Sequence, residues 1–300
     1  MRQKHINRSA IALLITVFFV MLITLSLGIG LKYVKNSYST MNNESFMTQS
    51  TVVLDDFLKI LKTSPDLKQV KDSDSLAVFL AQSALLPFEN SGVKVLIQIT
   101  SARAKINPNT FNSPERLDVL RSFLIKNMIN VEYSNMLSDL IGGIKEDNLY
   151  NTDIFNEYPY LFRDYISSDK HLEKLGEIYK KKYHDNALEK IEMKKLFYAN
   201  RDQNSSIDLN YATPLAWELM IGCDKDRANE LSLGGFGAYT PENPPSLSND
   251  ENESLSQFSY NYYEPIIDVK IEINKNDENA EIRFEYEINS TKVSNFVFKV

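Results

Sequence analysis

The sequence predicts an α+β fold, in which a long N-terminal transmembrane helix packs on an antiparallel sheet and a helical domain is inserted into the chain. Three observations lead to this prediction. A charge-free apolar run opens the chain, segments with helix-start signals fill its middle, and segments of alternating apolar and polar residues close it. Buried apolar side chains recur at different spacings in helices and in strands. The spacing of apolar residues therefore distinguishes these parts of the chain.

The N-terminal helix is predicted from two adjoining segments. Residues 9–31 are 23 consecutive positions without Asp, Glu, Lys, Arg or His, which is long enough for one helix to cross a bilayer core. Residues 32–62 contain neither Gly nor Pro, and at helical spacing they form an apolar stripe of Val53, Leu54, Phe57, Leu58 and Leu61. The alternative is a cleaved signal peptide, because Ser26-Leu27-Gly28 has the small residues of a cleavage site.

Charge is distributed unevenly around the apolar run. The chain has a formal net charge of −7, and Arg2, Lys4 and Arg8 precede the run, so everything after it carries −10. The basic residues before the run predict a cytoplasmic N-terminus and a large acidic part on the other side of the membrane. An acidic part of this kind argues against nucleic acid or anionic lipid as its partner.

The sequence contains no recognised signature of catalysis. Cys223 is the only cysteine, so no intramolecular disulfide can form. The histidines His5, His171 and His184 are scattered, and none has the spacing to another ligand that a zinc site requires. Neither a Gly-x-Ser-x-Gly nor a His-Glu-x-x-His motif occurs. We therefore predict a protein that is not an enzyme.

Alternating and capped segments define the middle of the chain. Val93, Val95, Ile97 and Ile99 alternate with polar residues and predict a half-buried strand. Ser113-Pro114-Glu115 combines an N-cap, a proline at the first helical position and an early acid, which predicts a helix to about residue 128. Further helices are predicted at residues 75–86, where Pro87 ends the helix, and at residues 133–141, 170–184 and 186–198.

The last third of the chain passes from helices to strands. A short strand at 206–210 leads into a helix that Thr213-Pro214 caps and Gly222 ends, and Asp224 caps a further helix to residue 231. Residues 234–257 are mainly Gly, Pro, Ser, Asn and acidic, which predicts an exposed loop. Beyond it, alternating segments predict an antiparallel meander with strands at 267–273, 282–288 and 296–300.

Acidic residues near this loop allow three interpretations. Calcium prefers several oxygen ligands, and the candidates are Asp224 with Asp226, or the loop group Asp250, Glu251 and Glu253, although neither group has the spacing of a calcium-binding loop. The two helices around Gly222 also fit a helix-hairpin-helix DNA reader, but the acids at 224, 226 and 230 lie where phosphates would approach. The third interpretation is a set of solvated surface acids.

Two short segments resemble a known signature. Residues 105–110 are Lys-Ile-Asn-Pro-Asn-Thr, and residues 207–214 are Ile-Asp-Leu-Asn-Tyr-Ala-Thr-Pro. Each leads from a strand into a capped helix. The pair is similar to the two Ile-Asn-x-Asn-Thr signatures that bracket the helical domain of the K-type minor pseudopilin of type II secretion systems. With its basic leader, apolar helix and antiparallel sheet, the chain resembles a type IV pilin-like subunit.

The resemblance implies a division of the chain and a cellular location. It implies a prepilin-type leader at 1–10, a transmembrane and periplasmic helix at 11–63, a pilin-like domain at 64–112 and 201–300, and an inserted helical domain at 113–200. Prepilin peptidase would cut between Ala10 and Ile11, although the glycine that the family has before the cut is absent here. The implied protein is a single-pass inner-membrane subunit, with its soluble domain in the periplasm and other minor pseudopilins as partners.

Ile15 carries a second implication of the resemblance. Ordinary pilins have a glutamate five residues into the mature chain, where it pairs with the terminal amine of a neighbouring subunit. Counted from Ile11, this position is Ile15, and the K-type subunit, which is thought to sit at the filament tip, also lacks the glutamate. An apolar residue suits a tip because an unpaired carboxylate in lipid is costly. A simple membrane anchor would have an apolar residue there as well.

Three functions are therefore weighed. The first is a non-catalytic minor pseudopilin that initiates or caps a periplasmic filament. The second is a membrane-anchored extracytoplasmic binding or sensor domain, which needs no filament. The third is an enzyme of an unrecognised kind, which the lack of a nucleophile, base or metal motif disfavours.

Overall fold

The computed structural model describes residues 42–90, 92–147, 149–275 and 278–299, and these fall into two units. One unit comprises the described residues up to Ala102 and those from Pro265 onwards, and the other is Arg103–Glu264. The second unit is therefore an insertion into the chain of the first. It contains the predicted helical domain at 113–200 together with residues 103–112 before it and 201–264 after it.

The described helices are α1 (Asn42–Thr63), α2 (Ser73–Ser83), α3 (Pro114–Lys126), α4 (Glu132–Ile141), α5 (Ile154–Glu157), α6 (Asp169–Tyr183), α7 (Met193–Leu196), α8 (Pro214–Ile221), α9 (Lys225–Gly234) and α10 (Asn249–Leu255). The described strands are β1 (Leu85–Asn90), β2 (Val93–Ser101), β3 (Ile207–Asp208), β4 (Tyr260–Asn261), β5 (Ile266–Lys275), β6 (Glu278–Glu287) and β7 (Lys292–Lys299). Single turns of 3-10 helix lie at Leu67–Gln69, Pro108–Thr110 and Ala187–Lys190.

A five-stranded antiparallel sheet, in the order β1-β2-β5-β6-β7, forms the centre of the first unit. One face is buried because apolar and polar residues alternate along the strands. In β5, the side chains of Ile267, Val269, Ile271 and Ile273 are at most 1% exposed. The predicted α+β class and the antiparallel meander are confirmed. Because β2 pairs directly with β5, the second unit is inserted between two neighbouring strands.

Helix α1 lies against this sheet through its apolar stripe. Phe46, Phe57 and Leu61 are at most 2% exposed, and the helix contacts β6. Only this part of the predicted long helix falls among the described residues, and the apolar run at residues 9–31 lies outside them. None of the described helices combines the length and the apolar content that a membrane span requires.

Three local predictions are corrected by the structure. The segment after α2 is a strand, β1, that contains Pro87, and the sheet tolerates proline there because β1 is an edge strand. The predicted loop at 234–257 contains α10, because Ser248 and Glu251 form a capping box that satisfies its first N–H groups. Residues 186–198 form a 3-10 turn and the short α7 in place of one helix.

The second unit is built mainly from helices with satisfied ends. Ser113, Ser168 and Thr213 each accept a hydrogen bond from a backbone N–H in the first turn of the following helix. Gly222 ends α8 with φ 67°, a conformation that only glycine adopts without steric cost. The predicted capped helices are confirmed as α3 and α8. The fully buried side chains of this unit include Leu124, Tyr133, Leu140, Leu175, Tyr179 and Trp217.

Candidate functional site

The two segments that carry the resemblance fold as buried turns. We name residues 107–110 the first asparagine turn and residues 208–210 the second asparagine turn. Each precedes a capped helix, α3 or α8. The Asn and Asp side chains of the two turns are at most 2% exposed. Because burying a polar side chain is costly unless it is hydrogen-bonded, their partners show what these turns do.

The first asparagine turn is bonded to segments far away in the sequence. Nδ2 of Asn107 donates to the carbonyl oxygens of Asn200 and Asp202 at 2.8 and 2.7 Å. Nδ2 of Asn109 donates to the carbonyl oxygens of Ile166 and Asn200 at 3.0 and 2.8 Å. Oδ1 of Asn109 accepts from the N–H of Ile166 at 2.6 Å. Two buried amides thus hold the chain around residues 166 and 200 against the start of α3.

The second asparagine turn does the same for the segment after α9. Nδ2 of Asn210 donates to the carbonyl oxygens of Tyr239 and Tyr262 at 2.9 and 2.6 Å. Its Oδ1 accepts from the N–H groups of Gly237 and Tyr239, both at 2.9 Å. The backbone carbonyl of Asn210 accepts from the N–H of Phe236 at 2.7 Å. One residue therefore positions the loop after α9 and the end of the inserted unit.

Asp208 adds an ionisable group to the second turn. Its side chain is 0% exposed, Oδ1 accepts from the N–H of Asn210 and Oδ2 from the N–H of Glu264, both at 3.0 Å. Burial raises the pKa of this carboxyl to about 7, and these two hydrogen bonds lower it only in part. The nearby Glu264 carboxylate raises the pKa further. Asp208 therefore changes charge near neutral pH.

Both turns have a structural role, because their hydrogen bonds hold distant segments of the chain together. Their amide groups already hold backbone partners on both the donor and the acceptor side, which leaves little hydrogen-bonding capacity for a ligand. The sequence identified both segments but not their partners, since those lie dozens of positions away along the chain. It also missed the buried Asp208 as a titrating group, although an acid between two apolar residues at a strand end is a usable signal.

The predicted calcium ligands lie at helix starts. Asp224 caps α9, because its Oδ1 accepts from the N–H of Arg227 at 2.8 Å, and Asp226 is exposed in the first turn. Burial raises the pKa of Glu251, but hydrogen bonds from Ser248 and Arg227 outweigh it and hold the pKa below its ordinary value. Among the described residues, no three His, Cys, Asp or Glu side chains are grouped so that they could hold a metal ion. Calcium at Asp224 and Asp226 stays a prediction.

The remaining predicted sites fall on the N-terminal segment. Ala10 and Ile11, the predicted cleavage junction, and Ile15, the predicted assembly position, lie outside the described residues. All three assignments therefore stay predictions.

Cys223 and His171 have surroundings that suit structural roles. Burial raises the pKa of the Cys223 thiol to about 11, so the reactive thiolate is scarce at neutral pH. Burial lowers the pKa of the His171 imidazole, and its Nδ1 accepts from the N–H of Ser167 at 3.3 Å. This hydrogen bond links Ser167, just before α6, to the first turn of the helix.

A helix packed on an antiparallel meander, with a mostly helical unit inserted between paired strands, is a fold of the pilin-like kind with an insertion. Comparison with solved structures supports this description of the fold. The chain is similar to a chain in the crystal structure of the GspK-GspI-GspJ complex from the enterotoxigenic Escherichia coli type II secretion system, with 12% identity and a TM-score of 0.50. The match covers 84% of this chain and 99% of that chain. No family model and no curated protein matches the sequence. The resemblance to a minor pseudopilin is thus confirmed for the fold.

Proposed function

We propose that this chain is a K-type minor pseudopilin, a non-catalytic subunit that initiates or caps a pseudopilus in type II protein secretion. The observation that carries the proposal is the place of the insertion. The Arg103–Glu264 unit enters the chain between β2 and β5, which pair in one sheet. Both asparagine turns, the segments similar to the K-type signatures, lie within this unit. The fold shared with a chain of a minor pseudopilin complex supports the same assignment.

The proposal extends to the membrane and to processing. The apolar run at residues 9–31 would anchor the chain in the inner membrane by a single pass, with the soluble part in the periplasm. Prepilin peptidase would remove residues 1–10 and leave Ile11 as the first residue. The long helix would then continue from the membrane into α1, whose apolar stripe lies on the sheet.

The proposed partners are other minor pseudopilins. The structural neighbour is named as a complex of three subunits, GspK, GspI and GspJ, and we extend that mode of assembly to this chain. A subunit at the tip has neighbours on one side only, so the apolar Ile15 would face no terminal amine that a glutamate could neutralise. We therefore expect Ile15 to be required as an apolar residue.

Secretion in the parent cells tests the proposal. The gene is deleted and complemented with the parent chain, Ile15→Glu or Ile15→Val, and the amount of protein secreted by the type II system is measured. Ile15→Glu places a carboxylate in lipid at a cost of roughly 3 kcal/mol on insertion scales, so we expect secretion to fall. Ile15→Val stays apolar and is the matched control, which should restore secretion. Membrane fractionation of each variant separates failed insertion from failed assembly.

Two results would contradict the proposal. Normal secretion by the deletion strain would remove the chain from the secretion machinery. N-terminal sequencing that finds a mature chain beginning near residue 29, in place of Ile11, would show a cleaved signal peptide and so no membrane helix.

A further inference from the structure

The inserted unit contains a half-open cleft beside helix α6. Its volume is about 380 Å³, within the range of small-molecule sites. One face of α6 forms one side of the cleft, with residues 169, 172, 173, 176, 177 and 180. These positions recur at helical spacing and extend over about 16 Å of the helix axis. The cleft is therefore elongated, and its shape suits a linear ligand.

The floor of the cleft is apolar. Leu172, Leu188 and Phe197 line it and are between 2% and 8% exposed. Gly176 also lines it, and a Cβ at this position would lie 3.4 Å from Cδ2 of Leu188. Glycine weakens a helix relative to alanine, and here its missing side chain leaves the space beside Leu188 open. The floor can therefore cover an aliphatic chain.

The rim of the cleft is acidic. Five Asp or Glu and two Lys line the cleft, which gives these residues a formal charge of −3. The ion pairs at the rim are Lys194–Glu173 at 2.6 Å, Lys180–Glu189, and Lys174–Glu177 at 3.3 Å, the last with a lysine outside the cleft. All six side chains are at least 48% exposed, and pairs of this kind are weak. A cationic ligand can therefore exchange with them.

Asp185 is the acid of this cleft whose charge is not paired. Its side chain accepts from the Tyr179 hydroxyl, from the N–H of Asn130 at 3.1 Å and from the N–H of Ala187 at 2.7 Å. These bonds, with that from Tyr179 first, hold the pKa of the carboxyl below its ordinary value, and Lys190 has the smallest effect on it. Among the described residues, no Lys or Arg forms an ion pair with it. Three neutral donors thus fix a carboxylate that has about one acceptor position left for a cation.

Tyr133 adds an unsatisfied polar group to the same cleft. It lines the cleft and is 0% exposed, and its hydroxyl has no hydrogen-bond partner among the described residues. Its ring meets the Tyr179 ring edge to face, with centroids 5.5 Å apart. A buried hydroxyl without a partner costs free energy. A ligand that forms a hydrogen bond at this point would recover that cost.

We propose that this cleft binds a linear aliphatic polyamine. One ammonium group meets the Asp185 carboxylate, a second nitrogen donates to the Tyr133 hydroxyl, and the methylene groups cover Leu172 and Leu188. Cationic groups alternate with apolar segments along a polyamine, which is the combination that an apolar floor with an acidic rim requires. A compact metal cation lacks the apolar part. The site does not depend on the proposed role in a pseudopilus.

Isothermal titration calorimetry with spermidine, an aliphatic triamine, tests the proposal. The full chain is held in nanodiscs of zwitterionic lipid, and empty nanodiscs are the blank. Mg²⁺ is the control for a cation without an apolar part. We expect spermidine to bind, and an equal concentration of Mg²⁺ to change its Kd by less than about twofold. Absence of spermidine binding, or its displacement by Mg²⁺, would overturn the proposal.

Substitutions at Gly176 test whether the ligand occupies the cleft. Gly176→Met fills the space beside Leu188 and should weaken spermidine binding by about tenfold or more. Gly176→Ala is the matched control, because it restricts the backbone in the same way but adds only a methyl group, and it should keep the Kd within about twofold. Both variants replace a glycine inside a helix, so neither should lower the melting temperature. Equal binding by the parent and Gly176→Met would contradict a ligand in the cleft.

Two further variants test the polar contacts. Asp185→Asn should weaken spermidine binding by about fivefold or more, whereas Asp250→Asn, which removes an exposed acid outside the cleft, should change it by less than about twofold. Tyr133→Phe should also weaken binding without lowering the melting temperature, because the hydroxyl that it removes has no partner among the described residues. Unchanged binding by Asp185→Asn or Tyr133→Phe, or an equal loss by Asp250→Asn, would each overturn the proposal.

Discussion

The second asparagine turn and the start of α9 use similar residues in opposite surroundings. Asp208 and Asn210 are at most 1% exposed, whereas Asp224 and Asp226 are exposed. In the turn, the Asn210 side chain bonds both backbone groups of the buried Tyr239. At the helix start, water can replace each bond. The comparison teaches that the same side-chain groups contribute more to the free energy of unfolding when they are buried. The reason is that an unsatisfied polar group costs most where water cannot reach it.

Replacing Asn210 should give the largest loss of stability. Asn210→Ala removes four side-chain hydrogen bonds, to Tyr239, Tyr262 and Gly237, and deprives the backbone of the buried Tyr239 and of the partly buried Gly237 and Tyr262 of these partners. We expect the free energy of unfolding to fall by about 3 kcal/mol or more. Denaturant unfolding followed by circular dichroism measures this loss. Asn109→Ala should cost about as much, because its amide is bonded in the same way.

An exposed asparagine in the same loop provides the control. The side chain of Asn243 donates one hydrogen bond, to the carbonyl oxygen of Ala238, and the residue is exposed. Asn243→Ala should therefore cost roughly 0.5 kcal/mol or less. If Asn243→Ala and Asn210→Ala were equally destabilising, burial would not be the reason for the difference.

Asp208 should make stability depend on pH, with the next largest effect. Its folded-state pKa of about 7 lies above its ordinary value of 3.8, so the folded chain binds the proton more tightly than the unfolded chain. This contribution is fully present below about pH 4 and is lost as the pH rises through 7. Between pH 5 and pH 7 the free energy of unfolding should fall by about 2 kcal/mol on this account.

The variant Asp208→Asn isolates that effect, because its side chain does not titrate. Burial lowers the pKa of His171, so that residue acts in the opposite direction and lowers stability as the pH falls below its ordinary 6.5. It acts equally in the parent and in Asp208→Asn, so the difference between their pH profiles cancels it. Parallel profiles from pH 5 to pH 7 would show that Asp208 is ionised throughout.

Sequence pattern located the sheet and the capped helices but not the tertiary bonds of the turns. Ile267 to Ile273 alternate strictly, and Ser113 and Thr213 precede prolines, so local signals decide these elements. Pro87 lies within a strand although local pattern predicts a helix end there, because the sheet tolerates proline only where β1 is an edge strand, which is a property of the assembled sheet. The partners of Asn109 and Asn210 are backbone groups of other segments, and no local pattern encodes such pairs.

At the exposed start of α9, Asp224→Ala should lower stability by a moderate amount. The side chain of Asp224 caps α9 by accepting from the N–H of Arg227, and loss of an N-cap acceptor costs about 1 kcal/mol. Thermal unfolding should show the loss. Asp224→Asn keeps an acceptor oxygen at the cap and should remain close to the parent. If Asp224→Asn lost as much stability as Asp224→Ala, charge and not capping would explain the residue.

Asp226→Asn should have the smallest effect, and it also tests the interpretation of Asp224 and Asp226 as calcium ligands. Asp226 is an exposed acid in the first turn of α9, where its charge interacts favourably with the helix dipole by about 0.3 kcal/mol. Its neutralisation should therefore lower the melting temperature only slightly, by the same amount with and without about 1 mM calcium. A ligand that binds only the folded chain stabilises it by RT ln(1 + L/Kd), where L is the free ligand concentration. If calcium raised the melting temperature of the parent and not that of Asp226→Asn, Asp224 and Asp226 would be calcium ligands. The start of α9 would then be a metal site and not only a solvated helix cap.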